Sequence, residues 1–402
     1  MFAFLRENFR WIAGGFILTY CSSFGQTYFI SASIAQWQSD FGLSHGQFGR
    51  LYMFATLASA MCLPFIGRIV DVAAPHRMIA IVIPVLAGAA LLAGFAASVP
   101  ILFVAIFALR LFGQGMTTHV ALTATGRWFV AERGRAVSLV VLGHQGGEAT
   151  VPLAFAALSI AYGYRVGWIA AAVALLAIGL PCAWWCYRRP RVPRPARYRD
   201  GAGRAETRSW TRREVLRDPL FWIILAGVLG PAFIGTTIFY HQNYMTELHG
   251  WPPRFFAESL IVMALTTLIC ALLAGAAVDR FGARSLLPFF LLPLAGACFV
   301  LAGSVPAAAL YGVMVLVGIS YGISSTLFGA LWPEIYGVAN LGAIRSVAVA
   351  TMVLATAAGP GLTGTLIDRG IPLPAQMAYL GAYCLAAAGA MAAAAGVLKR
   401  RA

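Results

Sequence analysis

The sequence predicts an all-α integral membrane protein with twelve transmembrane helices in two pseudo-symmetric six-helix bundles. The first observation is composition: 60% of the residues are apolar and 11% are charged, whereas a soluble domain carries about 25% charged residues. The second is a series of apolar segments of about 20 residues, the length that a helix needs to cross a bilayer. The third is a loop pattern that occurs once in each half of the 402 residues.

Twelve apolar segments follow one another along the chain, and we number them as spans one to twelve. Lipid offers no partner for backbone polar groups, so each span is expected to be helical. The first six are Trp11 to Ala32, Phe48 to Ile66, Met78 to Ala97, Ile101 to Thr123, Ala136 to Leu158 and Trp168 to Tyr187. The other six are Leu220 to Tyr240, Phe256 to Val278, Ser285 to Ala302, Ala307 to Phe328, Val347 to Ile367 and Met377 to Leu398.

The basic residues predict the orientation of the chain. Of the 29 Lys and Arg residues, Arg110 lies inside a span, and only Arg50, Arg165, Arg254 and Arg369 lie in the loops of one side. The others lie in the termini and in the loops of the opposite side. Because cytoplasmic loops are enriched in Lys and Arg, both termini are predicted to be cytoplasmic, in the plasma (inner) membrane. The net charge of +15 therefore reflects topology and does not indicate a nucleic-acid partner.

One long hydrophilic connection divides the chain. Residues 188–218 are rich in Arg and Pro and are predicted to form a cytoplasmic linker. Residues 1–187 then form an N-terminal six-helix bundle, and residues 219–402 form a C-terminal one. A flexible tether is the simplest interpretation of the linker, and its arginines also suit anionic lipid headgroups.

The repeated loop pattern follows spans two and eight. Gly67 and Asp71 precede Arg77 in the first copy, and Gly275 and Asp279 occupy the matching places in the second. The two glycines are 208 residues apart, as are the two aspartates. This spacing predicts that one half of the chain is structurally equivalent to the other.

Twelve spans in two halves, a long central loop and these GxxxDRxGxR-like loops resemble the major facilitator superfamily of secondary transporters. The second copy, Gly275 to Arg284, matches fully. The first copy has Val72 in place of the usual Arg and one extra residue before Arg77. In that family this loop makes cytoplasmic contacts between the halves that help to close the inner gate.

The resemblance implies that Asp71 faces Arg345 at the start of span eleven, and that Asp279 faces the start of span five. A carboxylate is stabilised at a helix N-terminus and by nearby Arg. The alternative is that these charges only mark loops and orientation. The expected cytoplasmic gate comprises Gly67, Asp71, Arg77, Gly275, Asp279, Arg280, Gly282, Arg284, Arg133, Arg135 and Arg345.

Span four contains a charge at mid-membrane depth. The stretch Arg110 to Gly115 resembles the intramembrane Arg motif of the family, although its Gln and Gly are out of register. An Arg at the centre of a span costs about 2.5–3.5 kcal/mol, so it should face a cavity or a partner. Glu148 in span five lies at a comparable depth. We expect the two to form an ion pair or to line one cavity, and a permanent structural pair is the alternative.

Span five also carries Gly143, His144 and Gly147, followed by Pro152. Drug/proton antiporters of the family show a glycine-rich signature in span five with a Gly-Pro pair, which span five of this chain lacks. Close helix packing is a sufficient explanation for the two glycines. His144 is either a proton-carrying group or a hydrogen-bonded helix residue.

Polar residues in spans one, seven and ten are the candidates for lining a cavity. Spans one and seven usually line the pathway in the resembled superfamily. The short hydrophobic loops also resemble its monocarboxylate and oxalate/formate branch, although no basic residue lies in predicted span eight or eleven. With Arg110, Glu148 and His144, the candidate binding or coupling residues are Gln26, Tyr28, Thr237, Tyr240, His241, Tyr321 and Ser324.

These features predict a proton-coupled secondary transporter, a symporter for a small organic anion such as a monocarboxylate. Its expected partners are the substrate, protons and lipid, and the chain is expected to function as a monomer. The first alternative is a proton-coupled exporter of hydrophobic or amphipathic compounds. The polar residues of the spans disfavour a non-transporting receptor without excluding it.

An integral membrane enzyme is the alternative from another class. Such an enzyme needs clustered carboxylates or a His/Asp constellation. The 14 acidic residues are dispersed, and no HExxH pattern occurs. The sequence therefore predicts no enzyme, no metal and no cofactor.

Overall fold

A computed structural model describes residues 2–67, 69–129, 133–189, 191, 210–252, 254–304, 306–337 and 340–401. The side chains of residues 2, 3, 71, 72, 133–135, 279, 341–343 and 346 also lie outside the description. The described residues are mostly helical and contain no strand. The chain divides into two compact units. Unit one comprises Met1–Ser44 and Arg50–Arg199, and unit two comprises His45–Gly49 and Asp200–Ala402.

Unit one contains spans one to six, apart from the first residues of span two, His45–Gly49. Span one consists of one long helix and four short pieces, and spans four and six each contain a π-helical segment. The pieces of span one are Phe2–Cys21, Ser22–Gly25, Thr27–Ile30, Ser31–Ser33 and Ile34–Phe41. Spans two and three are His45–Ile66 and Pro75–Gly94, with a short helix Ile69–Val72 between them. Span four is Val99–Ala108, Leu109–Thr117 and Thr118–Trp128, span five is Arg133–Tyr162, and span six is Tyr164–Ala174, Leu175–Gly179 and Leu180–Tyr187.

Unit two contains spans seven to twelve. Its spans are more regular, apart from span nine. A short helix Arg212–Arg217 precedes span seven, Pro219–Tyr240, and the helix Gln242–His249 follows it. Span eight is Arg254–Phe281, and span nine is a turn Ala283–Leu286 followed by Leu292–Ala302. Spans ten, eleven and twelve are Ala309–Tyr336, Leu341–Asp368 and Leu373–Arg401.

All twelve predicted spans coincide with helical segments. Within the described residues, nine helices are long and apolar enough to cross a membrane. The other three have identifiable departures: span one is broken, span five carries polar residues, and span nine has a short regular helix. Span nine was expected from Ser285, but its regular helix begins at Leu292. Pro288 lies in the irregular stretch before it, where it removes a backbone donor.

Aromatic packing holds the part of span one that follows its break. Trp168 of span six lies 5.0 Å from Phe29 and stacks on Trp37, measured between ring centroids at 5.6 Å. Its indole nitrogen donates to Ser33 Oγ at 3.0 Å. The Trp37 indole donates to the Ala93 carbonyl of span three at 3.1 Å. These contacts fix the short helical pieces that follow the break in span one.

The first residues of span seven are held by a buried carboxylate. Asp218 is the N-cap of the helix and accepts a hydrogen bond from the Leu220 amide at 3.2 Å. Its second oxygen accepts from the Tyr336 hydroxyl at 3.1 Å and forms an ion pair with Arg401 at 2.9 Å. Asp218 therefore connects the first residues of span seven with the last residues of spans ten and twelve.

We predict that Asp218→Ala destabilises the protein by about 2 kcal/mol. The change removes a cap and a buried hydrogen bond, while the partly exposed Arg401 contributes less because solvent screens its charge. The measurement is unfolding of the purified protein in mixed SDS micelles. Asp40→Ala is the matched control, because Asp40 is exposed and accepts only an exposed hydrogen bond from Tyr164. Equal destabilisation by the two changes would contradict this account.

Candidate functional site

Span one is interrupted near its middle. Residues Ser22–Gly25 form a tight 3-10 turn, and Gln26 has extended backbone with φ −83° and ψ 155°. The α-helix resumes at Thr27. A break of this kind leaves backbone carbonyls without helical partners, which a membrane helix tolerates only where protein or a cavity satisfies them. The sequence predicted a continuous span and named Gln26 as a candidate site residue, but it did not indicate that Gln26 lies at a break in the helix.

The break lies against a widened segment of span four. Residues Leu109–Thr117 are π-helical, a form often found at functional sites. Gly25 and Gly113 meet here with almost no space between their backbones. A Cβ at Gly113 would lie 2.6 Å from the Gly25 Cα atom, and a Cβ at Gly25 would collide with the Leu109 carbonyl. Both positions therefore require glycine, and their contact brings the break next to Arg110.

The Arg110 side chain is buried, with 3% of its surface exposed. Its Nη1 atom donates to the Gly25 carbonyl at 3.2 Å and more weakly to Thr27 Oγ1 at 3.4 Å. The guanidinium carbon lies 5.7 Å from the centre of the Tyr52 ring. Its Nε atom has no hydrogen-bond partner among the described residues. The site is thus a buried cation held by a carbonyl, a hydroxyl and an aromatic face.

The expected ion pair between Arg110 and Glu148 is not formed in the described part of the chain. The guanidinium contacts span one, and no carboxylate acts on it. The irregular part of span one packs against both span four and span five. Glu148 lies within electrostatic range of Tyr28 and has no partner of its own among the described residues. From the positions of Arg110 and Glu148 within their spans, the sequence predicted a similar membrane depth for both charges. It could not show that span one contacts both helices.

His144 is held by span one as well. Its Nδ1 atom lies 2.9 Å from Ser22 Oγ, and that hydroxyl donates to the Thr19 carbonyl at 2.6 Å. Since Ser22 uses its own proton in this way, it accepts from His144, which places the imidazole proton on Nδ1. The Nε2 atom then remains as a proton acceptor. His144 and Glu148 are four residues apart and so lie on one helix face.

Spans one and five pack closely through Gly143 and Gly147. A Cβ at Gly143 would collide with the Phe16 carbonyl, and one at Gly147 with Ser23 Oγ. The Tyr28 hydroxyl donates to the same Ser23 oxygen at 3.0 Å. Through Ser23, Tyr28 therefore lies beside the helical turn of span five that contains Gly147 and Glu148.

The candidates of unit two are mostly engaged locally. Thr237 donates to the Phe233 carbonyl at 2.9 Å, and Ser324 donates to Ser320 at 2.6 Å. Tyr321 donates across to the Pro231 carbonyl of span seven at 3.2 Å. The His241 ring nitrogen lies 2.8 Å from the Thr363 hydroxyl, where both residues are buried. Tyr240 is buried beside His241, with ring centroids 4.8 Å apart.

The first copy of the repeated loop is held by span four. His119 Nε2 lies 3.2 Å from the Gly67 carbonyl, and Arg127 donates to the Val70 carbonyl at 3.1 Å. The side chain of Arg77 is exposed. The predicted roles of Asp71, Arg133 and Arg135 fall on side chains outside the described residues.

The second copy is held by span ten through a carboxylate that the sequence analysis missed. Glu334 accepts from the Ala283 amide at 2.6 Å and forms an ion pair with Arg284 at 2.8 Å. Arg284 also donates to the Leu398 carbonyl at 3.1 Å. Gly282 turns the chain with a φ of +81°. A carboxylate near the end of span ten was the available signal, but nothing in its spacing connected it to the loop.

The remaining gate candidates make few contacts. Arg280 is exposed and lies over the Phe281 ring at 5.1 Å, while a Cβ added at Gly275 would meet only one side-chain atom of the described residues, at 4.0 Å. Arg345 was expected in a loop, but span eleven begins at Leu341 and includes it as an exposed residue. The side chain of Asp279 lies outside the described residues.

We predict that Gly113→Val destabilises the protein by about 3 kcal/mol or more. The new side chain must force apart two backbones, which core packing does not accommodate cheaply. The yield of monodisperse protein in detergent and its unfolding midpoint measure the effect. Gly88→Val in span three is the matched control, because nothing lies within 4 Å of its added Cβ. A Gly113→Val protein as stable as this control would refute the close crossing.

Known proteins support the fold. The Major Facilitator Superfamily model matches residues 15–360. The Membrane sensor protein UhpC of Salmonella typhimurium is 27% identical over 192 residues, 44% of this chain and 43% of that protein, so the match spans less than half of its length. Crystal structures of a bacterial homolog to the human lysosomal transporter Spinster, inward-facing and either unoccupied or occupied, superpose with a TM-score of 0.69. They are 18% and 17% identical and cover 96% of this chain and 95% and 96% of theirs. The chain belongs to the Major Facilitator Superfamily.

Proposed function

We propose that this protein is a secondary active transporter that carries a small organic anion, such as a monocarboxylate, together with protons. It works by alternating access and is not an enzyme. Family membership supports the transport activity. The single observation that supports an anionic substrate is Arg110, a buried cation without a carboxylate partner among the described residues.

The environment of Arg110 suits a ligand. A charge at mid-membrane costs about 2.5–3.5 kcal/mol on insertion scales, a cost that is typical of functional residues. Its planar donors match a carboxylate in a bidentate manner, and its Nε has no protein partner in the described chain. Broken helices such as span one commonly form the substrate sites of transporters.

Glu148 and His144 are the proposed proton carriers. Both lie on span five next to the irregular part of span one, and His144 presents its Nε2 as an acceptor. Taking up a proton neutralises Glu148, and the proposed link to the anion site is the irregular part of span one, which packs against both span five and span four. Of the unit two candidates, Tyr321 and His241 are proposed to line the pathway with Gln26 and Tyr28.

The two repeated loops are proposed to form the cytoplasmic gate. The support is the firm attachment of the Gly282–Arg284 turn to Glu334, which gives this loop one defined geometry. Both termini are proposed to be cytoplasmic, in the plasma (inner) membrane, because the basic residues favour that side. The chain is proposed to act as a monomer.

We predict that lactate stabilises the purified protein and that the effect depends on Arg110. A ligand that binds the folded state raises its stability, by roughly 2 °C or more in unfolding midpoint at saturation. Lactamide, of nearly the same size but neutral, is the control ligand and should have no effect. Arg110→Ala should abolish the shift, and Arg110→Lys, which keeps the charge but loses the planar fork, should weaken it.

The panel of probes also includes succinate and tetraphenylphosphonium. Equal shifts by lactate and lactamide, or anion shifts that persist in Arg110→Ala, would rule out recognition of an anion by this residue. If no carboxylate stabilises the parent protein, the small-anion proposal fails. Stabilisation by tetraphenylphosphonium alone would favour export of lipophilic compounds.

We predict that Glu148→Gln abolishes proton-driven accumulation of substrate in proteoliposomes while substrate exchange continues at about the parent rate. Gln resembles the protonated carboxyl group and cannot release a proton, so only steps that need a change in protonation are lost. Glu258→Gln is the control, because it makes the same chemical change at a residue that is not a proposed proton carrier. Glu258 lies near the start of span eight and accepts a hydrogen bond from Tyr311. Accumulation by Glu148→Gln that equals the parent's would eliminate Glu148 as the coupling group.

Two apolar cavities favour a second candidate, export of hydrophobic or amphipathic compounds. One of about 500 Å³ lies between spans one, five and six, with Phe24 and Phe155 in its lining. The other, of about 430 Å³, lies between the corresponding spans seven, eleven and twelve. The relative named as a membrane sensor protein supports a third candidate, ligand binding without transport. Arg110-dependent lactate binding without counterflow in proteoliposomes would establish that case.

A further inference from the structure

The ring of Tyr52 lies against the Arg110 guanidinium. Tyr52 is in the second turn of span two and is completely buried. The guanidinium carbon is 5.7 Å from its ring centre, within the range of a cation–π interaction. Desolvation strengthens this interaction, and both side chains are buried. The ring is therefore one of the three groups that hold the cation in place.

The Tyr52 hydroxyl acts on a second of these groups. It donates to Thr27 Oγ1 at 2.8 Å, while Arg110 Nη1 reaches the same oxygen only at 3.4 Å. A hydroxyl oxygen has two acceptor sites, and the shorter bond is the stronger one. The stronger hydrogen bond to Thr27 Oγ1 thus comes from Tyr52, and Arg110 is bound mainly to the Gly25 carbonyl.

This geometry determines where the unused donor of Arg110 lies. With Nη1 on Gly25 and the ring of Tyr52 beside the guanidinium, Nε is left without a partner in the described chain. If the Tyr52 hydroxyl were absent, Thr27 could draw the guanidinium closer and turn it. If the ring were absent, the guanidinium could tilt away from span two.

We propose that Tyr52 is a positioning residue for anion recognition: it holds Arg110 in the orientation that presents its free donor edge to the substrate carboxylate. This inference rests on the proposed function of Arg110. The two parts of the residue act separately, the ring on the guanidinium and the hydroxyl on Thr27. Tyr52 itself does not touch the substrate.

The separation of roles gives distinct expectations for two substitutions. Tyr52→Phe keeps the ring and loses one hydrogen bond, so lactate affinity should fall roughly fivefold. Tyr52→Leu loses both and should lower affinity roughly thirtyfold. In transport assays both should raise KM for lactate by these factors and change the maximal rate less than twofold, because a ground-state binding interaction is lost.

The experiment measures lactate binding and counterflow for the parent, Tyr52→Phe, Tyr52→Leu and Arg110→Ala proteins. Tyr187→Leu is the matched control, because Tyr187 is a buried tyrosine of the same unit with 1% of its surface exposed, and it packs on Trp128. It should lower stability comparably without changing lactate affinity. Combining Tyr52→Leu with Arg110→Ala should add no further loss of binding, since Tyr52 acts through Arg110.

The outcomes separate the two claims. Arg110-dependent binding in the parent, with unchanged affinity in Tyr52→Leu, would overturn the role of Tyr52 alone. If Tyr52→Leu and Tyr187→Leu lowered lactate affinity equally, the effect would be a general structural one, and the role of Tyr52 would also be overturned. A parent protein without Arg110-dependent binding would overturn the proposed function, and the role of Tyr52 with it.

Discussion

A carbonyl released by a break in a membrane helix must find its donor within the protein, because lipid supplies none. In unit one that donor is Arg110, which binds the Gly25 carbonyl. The surrounding features serve this one contact: the π-helical segment of span four, the crossing of Gly25 with Gly113, and the hydroxyl of Thr27. The charge and the break thus compensate each other, since each would be costly alone.

The irregular part of span one is also the contact point for span five. Ser22 fixes the imidazole of His144, and Ser23 meets both Tyr28 and Gly147. A shift in this short segment would reach Arg110 on one side and the proton-carrying candidates on the other. The proposed anion binding and protonation need no direct ion pair to influence each other, because the residues proposed for both contact the same stretch of span one.

The two halves share a helix order but differ in their chemistry. Arg127 of span four holds the first repeated loop, whereas Glu334, at the matching end of span ten, holds the second. The hydroxyls of Thr237 and Ser324 are used on carbonyls of their own helices. In unit one, by contrast, Arg110 Nε has no partner among the described residues. The repeat therefore conserves architecture, and specialisation lies in individual polar side chains.

The sequence by itself determined the twelve spans and the family, and it placed Arg110 inside span four, because hydrophobic length and loop motifs are local properties of the chain. It also selected Gln26, Tyr28, His144 and Glu148 as polar residues in apolar surroundings. Only the tertiary structure decided which partner each one has. The break at Gln26 and the contact of Glu334 with its loop depend on how neighbouring helices pack. The pattern of apolar residues along the sequence does not reveal this packing. Arg110 binds span one instead of Glu148 for the same physical reason: the nearest group in space, and not the nearest opposite charge in the sequence, satisfies a buried donor.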